Sequence, residues 1–338
     1  MPVTDAPRSD PVADGWAVLT ATERGAAHTA TGRPSQDAVA ACPLGPPGLA
    51  VAVADGHGHH RHFRSARGAQ LAVAAGCEAA QELAGRLAAA GPDEQSGQDA
   101  IGDLVPAITA RWRAAVERDL AAGPFTEQEQ QLRPAADTAL IAYGSTLMLA
   151  VAWHYWLILA QIGDGDVLGI QPDGRALQPV PGDAMLDGRH TTSLCGPRAE
   201  QEFRLAVVDT RRTPLLGLLL ATDGYGNAQV AEPWAGAVSA DLAQLIGGRS
   251  PDWLAGQLPA WAARCASADG SADDTTIALL LAPGAARHGQ PGPGGAMPVR
   301  ASRRRSPSPG PPSCRAAPSP PRSCRRRASP APPDRPAP

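Results

Sequence analysis

Short apolar runs open this chain. Residues 15–22 (GWAVLTAT), 37–42 (DAVAAC) and 49–54 (LAVAVA) are separated by Gly- and Pro-rich turns and read as three strands of an antiparallel start. The period then changes. Residues 64–90 and 99–122 carry Ala and Leu at helical spacing and are interrupted by GPDEQSG, which predicts a helical pair. A polar stretch runs on through Pro134. Strand patterns return at 144–153 (GSTLMLAVAW), 155–162 (YWLILAQI) and 166–171 (DVLGIQ), with His154 and Gly163-Asp164-Gly165 as turn material. Residues 202–208, 215–222 and 275–282 add three more strands, and 238–247 and 251–267 read as helices. Strands in two groups with helices between them and few short crossovers predict an α+β sandwich rather than a doubly wound sheet. No internal repeat is present.

Composition divides the chain. An apolar content of 43% is enough for a sizeable core. From Gly284 to Pro338, however, there are eleven Arg, fifteen Pro and one acid, Asp334. Such a segment buries too little apolar surface to offset its ordering entropy, so residues 284–338 read as a disordered Pro/Arg/Ser-rich tail and 1–12 as a disordered N-terminus. Without the tail, 19 Arg face 32 acids, a net charge near −13, and the chain has no lysine. The basic tail suits acidic partners, nucleic acid or its own body, or is simply a solvated linker. Heavy use of Ala, Gly, Pro and Arg resembles GC-rich bacterial coding. Six Cys without a CxxC pair indicate neither a zinc knuckle nor a disulfide framework. With no secretory leader and no run of eighteen apolar residues, the expectation is a cytoplasmic monomer that touches no membrane and whose body binds no nucleic acid.

The chemistry gathers where strands meet aspartate. LAVAVADGHGHH puts an apolar run against Asp55, Gly56 and His57, and SQDAVAAC, LLGLLLATDG and SADDTTIALLLA also begin or end on Asp. Any one of these aspartates reads as a turn residue or helix cap. Four at strand ends read as carboxylates converging on a shared cation, because hard divalent ions prefer oxygen donors. Other motifs fade. GSTL at 144–147 lacks the flanks of a G-x-S-x-G elbow, a lysine-free chain has no phosphate-binding G-x-x-x-x-G-K-[ST] loop, and WHYWL reads as strand or core.

In order and spacing, GRPSQDAVA, VADGHGHH, YGSTLMLA, AQIGDGDVL, LLLATDGYG and GSADDTTIALLL resemble the metal-dependent protein phosphatases of type 2C, over about residues 14–282. The opening GAAHTATGRPSQD is most similar to a bacterial branch. The resemblance implies a catalytic domain over residues 13–283, built as a sandwich of two mainly antiparallel sheets flanked by antiparallel helix pairs. It implies hydrolysis of phosphoserine and phosphothreonine in proteins at two Mg²⁺ or Mn²⁺ ions that share an attacking water. It also implies phosphoprotein substrates and a cognate Ser/Thr kinase.

Residue by residue, Asp55 matches the bridging carboxylate and Gly56 the position whose carbonyl oxygen ligates one ion. Asp223 and Asp273 match terminal ligands of the second ion, and Asp37 a carboxylate that holds metal waters. His57 stands where some members place the acid that protonates the leaving alkoxide, a role suited to an imidazole. There are departures. Gln36 replaces a Glu, and the phosphate-gripping Arg falls at Gly32, one position before Arg33. A third bacterial metal would have ligands at Ile141 and Asn227, so no third strong site is expected, and Asp164 reads as a turn residue. Two rival readings follow: a catalytically weak regulatory binding module, and a phosphatase of a small phosphorylated metabolite.

Overall fold

The computed structural model describes residues 15–46, 48–90, 101–134, 136–183, 191–229 and 233–285. All of these fall in one compact unit. The expected N-terminal segment 1–12 and nearly all of the expected tail lie outside the described residues. The strands are β1 (Ala17–Glu23), β2 (Ala38–Pro43), β3 (Leu49–Ala54), β4 (Leu147–Trp153), β5 (Trp156–Ile162), β6 (Asp166–Ile170), β7 (Ala176–Leu177), β8 (Arg204–Asp209), β9 (Gly217–Ala221) and β10 (Thr275–Leu281). They form two five-stranded sheets, ordered β1-β10-β9-β6-β7 and β2-β3-β4-β5-β8, in which every neighbouring pair is antiparallel.

The continuous apolar character of the central strands has a direct cause: both of their faces are covered. Alternate residues of a strand point to opposite faces. On β4, Leu147, Leu149, Val151 and Trp153 face a helical layer, while Met148, Ala150 and Ala152 face the other sheet. On β10, Ala278 and Leu280 face the inter-sheet core and Ile277, Leu279 and Leu281 the opposite helical layer. Helices α2 (Ser65–Ala90) and α3 (Leu104–Ala122) cover the second sheet. Helices α7 (Trp234–Gly248) and α8 (Pro251–Ala266) cover the first. The result is the α-β-β-α sandwich that the sequence predicts.

Small side chains set the layer spacing. Ala50, Ala52 and Ala54 of β3 share one core with Ala69, Ala72, Ala75 and Ala79 of α2, so the helix lies close on the sheet. The fully buried Trp112 of α3 donates its indole N–H to the Gly68 carbonyl at 3.1 Å. Gly68 in turn sits so near Tyr143 that a Cβ would collide with the Tyr143 carbonyl oxygen. Arg64, one residue before α2, makes a two-pronged ion pair with Glu129 (2.8 and 2.9 Å) and donates to the Tyr143 hydroxyl at 2.8 Å.

Several short elements escape the sequence pattern: α1 (Ala26–Thr31), α4 (Glu127–Leu132), the 3₁₀ turn Ala139–Tyr143, α5 (Ala199–Glu202), α6 (Asp223–Gly226) and the two-residue β7. None is long enough to show a hydrophobic period. The α4 helix is fixed instead by a capping box between Thr126 and Glu129. No helix among the described residues is long and apolar enough to cross a membrane.

Two glycines of α2 separate tight packing from helix propensity. Gly85 is exposed and a Cβ there meets nothing, so Gly85→Ala gains about 0.5–1 kcal/mol from helix propensity alone. Gly68→Ala forces the helix away from Tyr143 and costs about 1–3 kcal/mol. Thermal melts followed by circular dichroism are expected to move in opposite directions; a Tm for Gly68→Ala at or above the parent's refutes this packing account.

Candidate metal centre

Strand register brings the aspartates to one end of the sandwich. Ala38 pairs with Ala54, so Asp37, just before β2, and Asp55, just after β3, flank the same edge. Ala221 pairs with Ile277, which likewise puts Asp223, past β9, beside Asp273 and Asp274, ahead of β10. Leu147 pairs with Ile162, so the bend at Gly163-Asp164 closes that end too. Asp55, Gly56, Asp223 and Asp273 line a single cavity of about 370 Å³, with Gln36 and His57 on its wall.

Hydrogen bonds clamp the loops that form this end. The Thr146 hydroxyl oxygen accepts from the Asp55 amide at 3.0 Å, and the Thr146 amide donates to the Asp55 carbonyl at 2.8 Å. The Gly56 amide donates to the Gln36 carbonyl at 3.0 Å, and the His57 amide to the Gly144 carbonyl at 3.1 Å. Gly56 has no room for a side chain: a Cβ would lie 2.7 Å from the Ser65 carbonyl oxygen and 2.9 Å from that of Gln36. Among the described residues no hydrogen bond uses the Gly56 carbonyl oxygen, which leaves it able to act as a ligand.

The carboxylates are crowded, and Asp37, Asp55 and Asp223 are largely withdrawn from solvent whereas Asp164 and Asp273 are exposed. Burial, followed by the charges of Asp37, Asp223, Asp273 and Asp164, holds the Asp55 carboxyl well above the ordinary carboxylate range. Burial pushes Asp37 up to about 7 against the opposing hydrogen bonds from Thr222 and Thr276. Burial and then Asp164 and Asp273 raise Asp223 to about 6. Buried oxygens here also lack partners: Asp37 Oδ1, Asp223 Oδ1 and Gln36 Oε1. Oxygen-rich, acidic and short of donors, this set fits a hard divalent cation. Among the described residues no group of three or more His, Cys, Asp or Glu side chains is disposed to hold an ion by itself. A cation here would therefore draw on the Gly56 carbonyl and on water as well.

Other residues singled out in the sequence are placed differently. Asp37 stands behind the cavity, its Oδ2 accepting from the Thr222 hydroxyl at 2.8 Å. Gln36 spends its amide N–H groups on the Ser65 hydroxyl and, at 3.4 Å, the His57 carbonyl. Arg33 is exposed, with one guanidinium nitrogen 3.5 Å from the Gly58 carbonyl. Ile141 lies in the 3₁₀ turn, where its carbonyl accepts from His62 Nδ1 at 2.5 Å, and the Asn227 amide donates to Asp223 Oδ2 at 3.2 Å. His57 packs on His62 with ring centroids 4.9 Å apart, and burial followed by the His62 charge lowers it to about 4. His59 and His60 are exposed and stack on each other.

Three participants are not evident from the sequence. Asp164 lines the cavity from the bend that reads as simple turn material. His28, on the six-residue α1, also lines it, with its Nδ1 2.8 Å from Asp274 Oδ2. Asp274 is 3% exposed and accepts the Gly25 amide at 2.7 Å and the Gln36 amide at 2.6 Å. The doubled aspartate in SADDTT was the one available signal for it.

These shifts set the sign of a pH effect in metal-free protein. A carboxyl raised on folding contributes stability present below its unfolded value of 3.8 and lost as pH rises, here through about 6 for Asp223 and about 7 for Asp37. His57, lowered from 6.5, acts oppositely and loses stability as pH falls through about 4. His62, lowered chiefly by burial, acts in the same sense as His57, and the three carboxyls outweigh these two imidazoles between pH 5 and 7.5. Glu129 and Asp209, held at about 2, do not titrate there. With chelator present, Tm is expected to fall by roughly 5 °C or more from pH 5 to 7.5, and by less in Asp37→Asn. A Tm that rises over this interval in both proteins contradicts the assignment.

Comparison with known proteins agrees with this fold. Among curated proteins none matches the chain in sequence. Solved structures do match in fold. A bacterial serine phosphatase is 12% identical, with 79% of this chain and 98% of that one covered at a TM-score of 0.52. Stp1, a serine/threonine phosphatase from Staphylococcus aureus, is 13% identical over 79% and 95% at 0.51. PppA, a regulatory component of the type VI secretion system of Pseudomonas aeruginosa, is 16% identical over 81% and 100% at 0.50. The family model described as Protein phosphatase 2C matches residues 24–259, most of the chain, and the protein therefore belongs to the protein phosphatase 2C family.

Proposed function

We propose that this protein is a Mg²⁺- or Mn²⁺-dependent phosphatase that hydrolyses phosphoserine and phosphothreonine in proteins, its catalytic domain spanning residues 13–283. The observation that carries this reading is the group of buried, mutually repelling carboxyls with orphaned oxygens around one cavity. Two divalent ions would there activate a water for in-line attack on phosphorus and neutralise the phosphoryl oxygens. Asp55, the Gly56 carbonyl, Asp223 and Asp273, which line the cavity, would hold these ions. Asp37, whose Oδ2 accepts from Thr222 while its buried Oδ1 has no hydrogen-bond partner, would act on the ions through water. Arg33, at the rim by Gly58, is the side chain available to grip the phosphate. No side-chain nucleophile is required. The phosphoprotein substrates would be supplied by a Ser/Thr kinase.

A second reading, a family member that binds partners and turns over poorly, is favoured by the neutral Gln36 and by the lack, among the described residues, of a three-residue ligand group. The two differ in metal affinity. In the first, Mn²⁺ raises Tm at pH 7.5 and supports hydrolysis of a phosphothreonine peptide. Asp55→Ala and Asp223→Ala abolish both effects, and Asp37→Asn lowers activity by about 10–100-fold, as for residues that orient metal ligands. Normal folding without Mn²⁺ binding in calorimetric titration selects the second reading. Activity that survives Asp55→Ala and Asp223→Ala refutes the first.

A further inference from the structure

The cavity contains two imidazoles, and their ring nitrogens are committed differently. His57 Nε2 lies 2.7 Å from the Ser193 hydroxyl oxygen, and that hydroxyl gives its own proton to the Ser145 carbonyl at 3.1 Å. His57 Nε2 is thus already engaged within the protein wall. The contact ties the Asp55 loop to the segment around residue 193, which is further held by the Leu194 amide on the Ser145 carbonyl at 3.0 Å. Gly144 packs against the rings of His57 and His62 so closely that a Cβ would strike both. His57 is built into the wall.

His28 is arranged the other way. Asp274 engages its Nδ1 at 2.8 Å, which leaves Nε2 to serve the cavity that His28 lines. Asp274 is itself fixed by the Gly25 and Gln36 amides. The Ala27 amide donates to the Ala272 carbonyl at 3.0 Å, docking α1 onto the loop that carries Asp273. Ala272 holds a φ of 62°, a left-handed conformation costly for alanine and kept only where the surroundings impose it. A buried carboxylate on one ring nitrogen fixes the orientation and tautomer of the ring, so that the other nitrogen is the one that exchanges a proton.

We propose that His28, oriented by Asp274, is the general acid that protonates the leaving serine or threonine oxygen, and that His57 is a wall residue positioning the loop at 193. This rests on the phosphatase reading above. As the bond from phosphorus to the attacking water oxygen forms, the bond to the seryl or threonyl oxygen breaks. The departing oxygen keeps that electron pair and takes the proton from His28 Nε2. The imidazole is left neutral and is reprotonated from solvent, which also receives the proton shed by the attacking water.

Leaving-group dependence tests the assignment in the full-length chain with Mn²⁺. An aliphatic alkoxide needs a proton to depart, whereas p-nitrophenolate does not. His28→Gln is expected to lower kcat for a phosphothreonine peptide about 100-fold more than for p-nitrophenyl phosphate, within the usual range for general acids, and Asp274→Asn to follow in the same direction. His57→Asn is expected to lower both substrates alike. Two further readings do not depend on turnover: Mn²⁺ affinity of His28→Gln by calorimetry stays within about 3-fold of the parent, since no ligand is lost, and in imidazole ¹⁵N spectra of the metal-free chain His28 Nδ1 is protonated. Equal loss on both substrates in His28→Gln, full peptide activity in that variant, or an unprotonated Nδ1 overturns the proposal. Parent protein that hydrolyses neither substrate overturns the phosphatase reading itself, whereas active parent with the wrong variant pattern overturns only the role of His28.

Discussion

Repulsion among buried carboxyls at one end of the sandwich is the constraint around which the rest of this structure is arranged. Asp55 feels Asp37, Asp223, Asp273 and Asp164, and its own burial leaves little water to screen them, although Asp164 and Asp273 are themselves exposed. Left to itself such a cluster would pull its loops apart or take up protons. It is held because each aspartate sits one or two residues beyond a strand that is apolar on both faces, so moving the carboxyl outward means unzipping a buried ladder. The sandwich supplies the stability that holds this strained aspartate end together.

Rigidity at this end comes from close backbone approach as much as from side chains. Gly56 lets the strand-end turn press against the first residue of α2, and Gly25 lets α1 lie on the loop at 272–274, where any Cβ would meet backbone. Arg64 then ties the base of α2 to Glu129 and Tyr143, so the loop from His57 to Arg64 is fixed at both ends. Sites built on strand ends and locked by such contacts hold ligand geometry better than free loops do.

How much of this the sequence reveals depends on whether an element repeats a pattern. The nine longer strands and four longer helices are legible because burial on one or both faces writes a period of 2 or 3.6, or an unbroken apolar run, into their residues. Helix α7 begins earlier than its apolar period, at Trp234, because its first turn packs through Trp234 and Ala235 at the edge of the core. The strand-end aspartates are legible as a set for the same reason: strands mark where they are. Asp164 is masked by its glycine neighbours, which read as a turn whatever else the aspartate does. His28 lies on a helix of six residues with no buried positions, and Asp274 beside a stronger candidate. Their pairing spans 246 residues of sequence, a contact that only the closing of β1 on β10 creates.

The charge of the cavity also orders events within it. Its lining holds Asp55, Asp164, Asp223 and Asp273 and no arginine; Arg33 stands outside, at the rim. A phosphomonoester carries the same sign of charge as this lining, within a body whose net charge is already near −13 outside the tail. The metal-free cavity therefore repels the group it is proposed to bind, and a low-dielectric wall strengthens that repulsion. On the phosphatase reading, reversal of the local charge by divalent cations would be a precondition for phosphate entry and not merely an aid to the chemical step. Affinity for substrate and affinity for metal would then be linked quantities, and Gln36, which withholds one further negative charge, would act on both in opposite directions.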